Sequence, residues 1–424
     1  MNQQTKPTTG ATGKDRRMAI AMVVAAFLLR LAVILVFHTY EFPAGHNHYA
    51  FGYEMGSISG SLARGEGFSS PFGVPTGPTA WIAPVYPAMI AAIFKVFGLY
   101  SNASAIMILG INSLFSGLAC AAIFVLGREL LGRQVGLVAG WWFALVPLYW
   151  RYPTTWVWEF PLSGLLLVLI FLVSVRLDTA RWQPWAGFGV LWSVMALVSP
   201  SQLSVLPFTL AYPAWKIARG RKIPWKQMAI TVAVFCIAIT PWLARNRAAF
   251  GRWVFLRSNF GFEFWLDNYP GANGAAWSGR HPASNPRILA EYEKLGEIDF
   301  AKEKQREAFQ FIRDYPGEFT RLTMMRMTDF WDGRTLIYES PDEPLKPWMI
   351  LTTSLLAWGG LLLMLRNRER GAWLFLTFML ILPAPFYLTY TEPKYRHPLE
   401  PLMSVMTAYL LCAAWNWGRR RQKA

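Results

Sequence analysis

Runs of about twenty apolar residues, each bounded by a short cluster of Lys and Arg, recur along the chain and restrict its fold more than any other feature. Such a run matches a hydrocarbon core of about 30 Å when it is helical, and in lipid the backbone has few other ways to satisfy its polar groups. Of 424 residues 54% are hydrophobic and only 16% are charged, against roughly 25% charged in a soluble domain. The chain therefore reads as an all-α polytopic membrane protein, and soluble multidomain architectures are excluded. A net charge of +16 would suggest nucleic acid for a soluble protein. Here the cations sit at the ends of apolar runs, where they orient helices, so no nucleic-acid partner is expected. Cys120, Cys236 and Cys412 lie inside apolar runs without CxxC or metal spacing and read as small hydrophobes.

Lys14, Arg16 and Arg17 precede the first run, residues 18–38, which no small-residue cleavage site follows. It reads as a retained helix behind a cytoplasmic tail, residues 1–17. Runs at 81–98 and 106–126 come next, before Arg128 and Arg133. If both crossed, these arginines would fall outside, against the positive-inside bias. Residues 81–98 also carry Pro84, Pro87 and Lys95, so they are expected to lie on the outer surface as an interfacial helix. Later runs at 135–149, 160–175, 185–198, 203–215, 228–242, 348–365, 373–388 and 402–417 alternate sides and leave the basic clusters inside. The expectation is about ten transmembrane helices with both termini cytoplasmic.

This divides the chain into an N-terminal transmembrane region, 18–243, with its first external loop at 39–105; an external helical segment, 244–346; C-terminal transmembrane helices, 347–418; and a basic cytoplasmic tail, 419–424. In the external segment Asn285 and Pro286 form an N-cap and first-turn pair, and Leu289, Tyr292 and Leu295 recur at helical spacing up to Gly296. Further helices are expected over 300–314 and from Pro316, making a small external helical cap. No internal repeat of fixed period is visible.

The chemistry is sought on the external side. Glu54, in FGYEMGSISGSLARGEGF, and Glu159, between Trp158 and Phe160, would both face the outer aqueous rim. A carboxylate flanked by aromatics and partly desolvated has its pKa raised toward the range where it accepts a proton from a hydroxyl, so both are catalytic candidates. Glu159 also fits a plain helix cap. Arg245, beside Asn246, and Lys394, Tyr395, Arg396 and His397 also lie outside, against the usual bias. Arg245, Arg396, Lys394 and Tyr395 are candidates for gripping a donor phosphate, and Asn246, Glu263 and His397 for touching substrate. The alternative is that the cations pair with Glu263, Asp267, Glu392 or Glu400. His46 and His48, near Glu41 and Glu54, are a weak metal signal without a third evident ligand. No cofactor is firmly expected, and a divalent metal stays open.

Four stretches carry a family resemblance: SLARGEGF, PVYPAMIAAIFKVFG, LGRELLGRQVGLVAGWWFALVP and YRHPLEPL. In this order the chain resembles the GT-C-type polyprenyl-phosphate-sugar glycosyltransferases, the superfamily of the protein O-mannosyltransferases and lipid A aminoarabinose transferases. The resemblance implies inverting transfer of a sugar from a polyprenyl phosphate to an acceptor hydroxyl of a lipid, glycan or protein at the outer face of a plasma (inner) membrane. It also implies an Asp base in the first external loop. Phe51 occupies that position here, and the nearest acid is Glu54; Glu159 corresponds to the second external acid. The Lys that aminoarabinose transferases carry before the Pro-rich interfacial helix is Ala83. Two other classes are weighed beside this one. A secondary transporter would use Arg30, the one charge within the first run, and a noncatalytic membrane scaffold would need no acid at all.

Overall fold

The structure is a computed structural model that describes residues 12–42, 51–178, 181–220, 222–274, 278–334 and 345–422. Among them every regular element is helical, with one isolated bridge between Ser69 and Pro78. In chain order the α-helices are α1 (Gly13–Val36), α2 (Glu54–Arg64), α3 (Val85–Phe97), α4 (Asn102–Leu131), α5 (Arg133–Leu145), α6 (Arg151–Thr155), α7 (Phe160–Arg176), α8 (Trp182–Val198) and α9 (Leu206–Ala218). They continue with α10 (Trp225–Phe250), α11 (Phe260–Leu266), α12 (Pro286–Leu295), α13 (Glu297–Asp314), α14 (Pro316–Asp332), α15 (Lys346–Arg366), α16 (Ala372–Ile381), α17 (Ala384–Leu388) and α18 (Glu400–Arg421). Four of these, α1, α4, α10 and α15, are long and apolar enough to cross a membrane, and shorter apolar stretches occur at 85–97, 160–176 and 372–388.

Local chemistry sets the helix ends. Thr12 and Asp15 close a reciprocal capping box on α1. The Asn285 side chain accepts from the Arg287 and Ile288 N–H groups, with Pro286 in the first turn of α12. The helix stops at Gly296, as its spacing predicts.

Two cores organise the molecule. One lies among the long helices, where Phe143 of α5, Phe171 of α7, Trp185 and Trp192 of α8, Phe375 of α16 and Met403 of α18 are buried together. Packing is close enough at α15 and α18 that a Cβ on Gly360 would lie 2.0 Å from the Met406 carbonyl oxygen, so only glycine fits there. The second core joins the first external loop to the external segment: Phe51, Ile58, Trp81 and Tyr86 pack with Phe262, Trp265, Tyr292 and Phe300. Glu297 fastens the join, accepting from the Thr79 hydroxyl, the Ala80 N–H (2.7 Å), the Ser258 hydroxyl (2.6 Å) and the Tyr292 hydroxyl (2.9 Å).

The basic clusters gather at one end. Asp15 of α1 takes Arg128 (3.2 Å) and Arg133 (2.9 Å), Glu129 takes Arg176 (3.0 Å), and the Val175 carbonyl takes Lys216 (2.9 Å) and Arg370 (3.0 Å). Arg30 is fully buried within α1 and donates to the Phe143 (3.1 Å) and Ala144 (3.2 Å) carbonyls, filling the last turn of α5 where helix carbonyls lack intrahelical partners. Its guanidinium ties α1 to the end of α5.

Candidate active site

Three segments that are distant in sequence meet where α7 begins, at the end opposite Arg176. The turn before α2 comes first. Gly52 has φ +85°, and a Cβ there would lie 2.0 Å from the Val157 carbonyl oxygen, so the first loop can lie against the backbone leading to Glu159 only with glycine. Tyr53 follows at φ +54°, a strained conformation for a bulky residue, and starts α2 at Glu54. The Glu54 carboxylate lies 2.8 Å from Nε2 of His281.

Glu159 occupies the N-cap position of α7 without capping it. It is 3% exposed, and its Oε2 has no hydrogen-bond partner among the described residues. Burial pushes its carboxyl up from the ordinary 4.5 to about 7, with Arg257, the backbone, Ser199 and Lys394 opposing. Its ionisation is thereby moved toward the neutral range.

The second segment is the stretch before α11. Leu256 has φ +58°, and the Arg257 N–H donates to the Phe255 carbonyl at 2.7 Å, making a tight three-residue turn. That turn presents Arg257, whose Nε donates to the Trp81 carbonyl (3.1 Å) and whose Nη2 lies 3.8 Å from Glu263. Asn259 Nδ2 donates to the same Glu263 oxygen at 2.5 Å. Burial raises the Glu263 carboxyl, Arg257 opposing and Glu54 adding to the rise.

The third segment is the loop before α18. Lys394 pairs with Glu392 at 2.6 Å and lies 5.2 to 5.8 Å from the rings of Tyr53, Trp156, Trp158 and Tyr395. Burial is the largest single influence on Lys394 and lowers its pKa, but the Glu392 charge and hydrogen bond together with Tyr53 and Glu263 outweigh it, and the net direction is upward. The Tyr395 hydroxyl donates to that of Tyr390 at 2.6 Å.

Together these groups line one cavity of about 520 Å³. Four carboxylates (Glu54, Glu159, Glu263, Glu392), Arg257, Lys394, His281 and the polar turn Ser199–Gln202 face it, beneath a rim that includes Phe255, Phe260 and Phe386. Acids able to take or give protons, cations able to hold an anion, and an apolar rim thus share one space. Among the described residues no group of three or more His, Cys, Asp or Glu side chains could hold a metal ion. His46 and His48 lie outside the described residues.

Of the residues singled out in the sequence, Glu54, Glu159, Glu263, Lys394 and Tyr395 line the cavity, whereas Arg245, Asn246, Arg396 and His397 do not. Arg245 donates at 2.5 Å to both the Thr79 and Phe68 carbonyls and stacks over Phe68 and Trp242. Its guanidinium is taken up in joining α10 to the first loop. Asn246 donates to the Val254 carbonyl at 3.3 Å. Arg396 is buried between Glu400 (3.3 Å) and the Thr353 hydroxyl (2.7 Å), and His397 contacts Glu400 at 2.7 Å. The ion pairing weighed in the sequence as the alternative is thus what Arg396 and Lys394 make. Sequence reasoning missed Arg257, His281 and Asn259. RSNFGFEF offered a signal, a cation six residues before an acid in an aromatic stretch, but nothing marked the tight turn that aims Arg257.

Residues 81–244 match the family described as dolichyl-phosphate-mannose-protein mannosyltransferase. No curated protein matches the chain. Among solved structures, the oligosaccharyltransferase AglB from Archaeoglobus fulgidus, in complex with an inhibitory peptide and a dolichol-phosphate, overlays with a TM-score of 0.53 at 12% identity over 97% of this chain and 52% of its own. The apo form of the Archaeoglobus fulgidus oligosaccharyltransferase gives 0.52 at 14% identity over 96% and 51%. ArnT from Cupriavidus metallidurans, bound to undecaprenyl phosphate, gives 0.40 at 11% identity over 95% and 78%. The chain therefore shares the GT-C-type fold of the oligosaccharyltransferase structures. The chain spans about half the length of the oligosaccharyltransferase structures, and Glu159 is the one cavity carboxylate inside the family match.

Proposed function

We propose that the chain is an inverting glycosyltransferase that moves a hexosyl or pentosyl group from a polyprenyl-phosphate donor to a hydroxyl of a lipid, glycan or protein acceptor. The observation that carries this reading is the convergence of Glu54 and Glu159 with Arg257 and Lys394 in one aromatic-rimmed cavity. The dolichol-phosphate in the AglB complex supports a polyprenyl-type carrier.

In this reading Glu54 removes the proton from the acceptor hydroxyl as its oxygen attacks the anomeric carbon. The new C–O bond forms on the face opposite the donor phosphate, and the bond from the anomeric carbon to the phosphate oxygen breaks, its electron pair leaving with the lipid phosphate. Arg257 and Lys394 take the developing phosphate charge, a role for which the sequence had offered Arg245 and Arg396 beside Lys394 and Tyr395. Glu159, poised near neutrality, and Glu263, held by Asn259, bond sugar or acceptor hydroxyls. The cavity opens at the outer, external or periplasmic face of a plasma membrane crossed about ten times, with both termini cytoplasmic. The arginines at the far ends of α7 and α18 support that orientation.

The test is transfer of tritiated sugars from undecaprenyl phosphate by purified protein in detergent, wild type against Glu54→Gln. The variant should lose about 100-fold or more in turnover, the scale of general-base catalysis. Equal turnover in the two proteins would remove the proposed base, and flux of free sugar into proteoliposomes without transfer would turn the reading to transport.

A further inference from the structure

We infer that His281, on the external segment, is the positioning residue for the Glu54 carboxylate, holding it through an Nε2–H donor whose tautomer the local backbone sets. The inference rests on the reading of Glu54 as the base.

The Ala283 N–H donates to His281 Nδ1 at 3.2 Å, so Nδ1 presents a lone pair and the ring proton resides on Nε2. That nitrogen lies 2.8 Å from Glu54 Oε1. In that tautomer the imidazole donates to the carboxylate and holds it in place. The ring is gripped edge-on by Phe72 (5.6 Å) from the first loop and Phe262 (5.5 Å) from α11. Both contacts sit in the core that joins the loop to the external segment. Side chains of both residues are largely buried, 14% exposed for His281 and 10% for Glu54, so the bond forms where water competes poorly. Docking of the external segment thus orients the base.

The test uses full-length protein in detergent. His281→Phe keeps an aromatic ring between Phe72 and Phe262 but removes the donor; His281→Gln places an amide N–H near the position of Nε2. With tritiated hexose and pentose undecaprenyl phosphates, His281→Phe should lower kcat by about 10- to 100-fold, the range for losing a hydrogen bond to a charged group, with KM little changed. His281→Gln should restore most of that loss. Wild-type kcat in His281→Phe, or no recovery in His281→Gln, overturns the inference. If Glu54→Gln is itself fully active, the base reading fails separately. An independent measurement covers variants that do not fold. The chain has five histidines, and 15N-histidine labelling of the wild type should show His281 as the neutral tautomer protonated at Nε2, with a resonance that moves in Glu54→Gln. A proton on Nδ1, or indifference to Glu54→Gln, overturns the assignment.

Discussion

Replacing Glu159 by Gln should stabilise the protein at alkaline pH while impairing its chemistry. Burial raises the carboxyl from 4.5 to about 7, so between those values the folded protein binds a proton that the unfolded chain has released. Wherever the folded state holds more protons, stability falls as pH rises. The Glu159 contribution is fully present below pH 4.5 and is lost as pH passes through 7. That interval corresponds to about 3 kcal/mol, with little screening because the side chain is 3% exposed. Gln fills the same volume and carries no charge at any pH. Melting followed by Trp fluorescence at pH 4.5 to 8.5 should show Glu159→Gln gaining on the wild type as pH rises, the difference approaching about 3 kcal/mol near pH 8. Glu263 and Glu297 are also raised by burial, but they are present in both proteins, so the difference between the curves isolates Glu159. Curves that stay parallel across this range would refute the reasoning, because Glu159 would then ionise as if exposed. The same variant should transfer sugar more slowly, since a group kept at a stability cost in a cavity is the usual mark of a functional position.

Arg257→Ala should lower kcat/KM for the lipid donor by about 10- to 100-fold, the cost of a charge-assisted contact to phosphate, whereas Arg245→Ala should show itself mainly as lower thermal stability; steady-state transfer and melting curves separate the two. Arg326→Met should destabilise the protein by about 3 to 5 kcal/mol, because it leaves Asp267 charged and buried without its partner at 3.0 Å, and adding Asp267→Asn should recover much of that loss in thermal melting.

The helical class, the apolar runs and the caps of α12 were legible because they depend on local rules: hydropathy over a run, Asn before Pro, Gly at the close. Both acids proposed for the chemistry were legible as well, since an acid beside aromatics at the end of an apolar run stands out without any three-dimensional information. The cations were not. Arg245 lies near the end of α10 and Arg257 in the segment after it, and residue type offers no way to choose between them. Arg245 turns back to the carbonyls of Phe68 and Thr79, while a turn with Leu256 at φ +58° aims Arg257 into the cavity. His281 was invisible for a similar reason, because its meaning comes from Glu54, 227 positions away.

By itself the sequence determined that the chain is helical and carries helices long and apolar enough to cross a membrane. Those properties follow from the transfer cost of each residue and need no partner. Only the tertiary structure decided which polar groups share a cavity. That choice is made by a second core in which the first loop and the external segment bury one another, by Gly52 lying against the backbone of Val157, and by the turn at Leu256. The first two are close approaches between segments far apart in the chain and the third is a local turn in a rare backbone conformation, all set by packing and backbone geometry that residue order does not express.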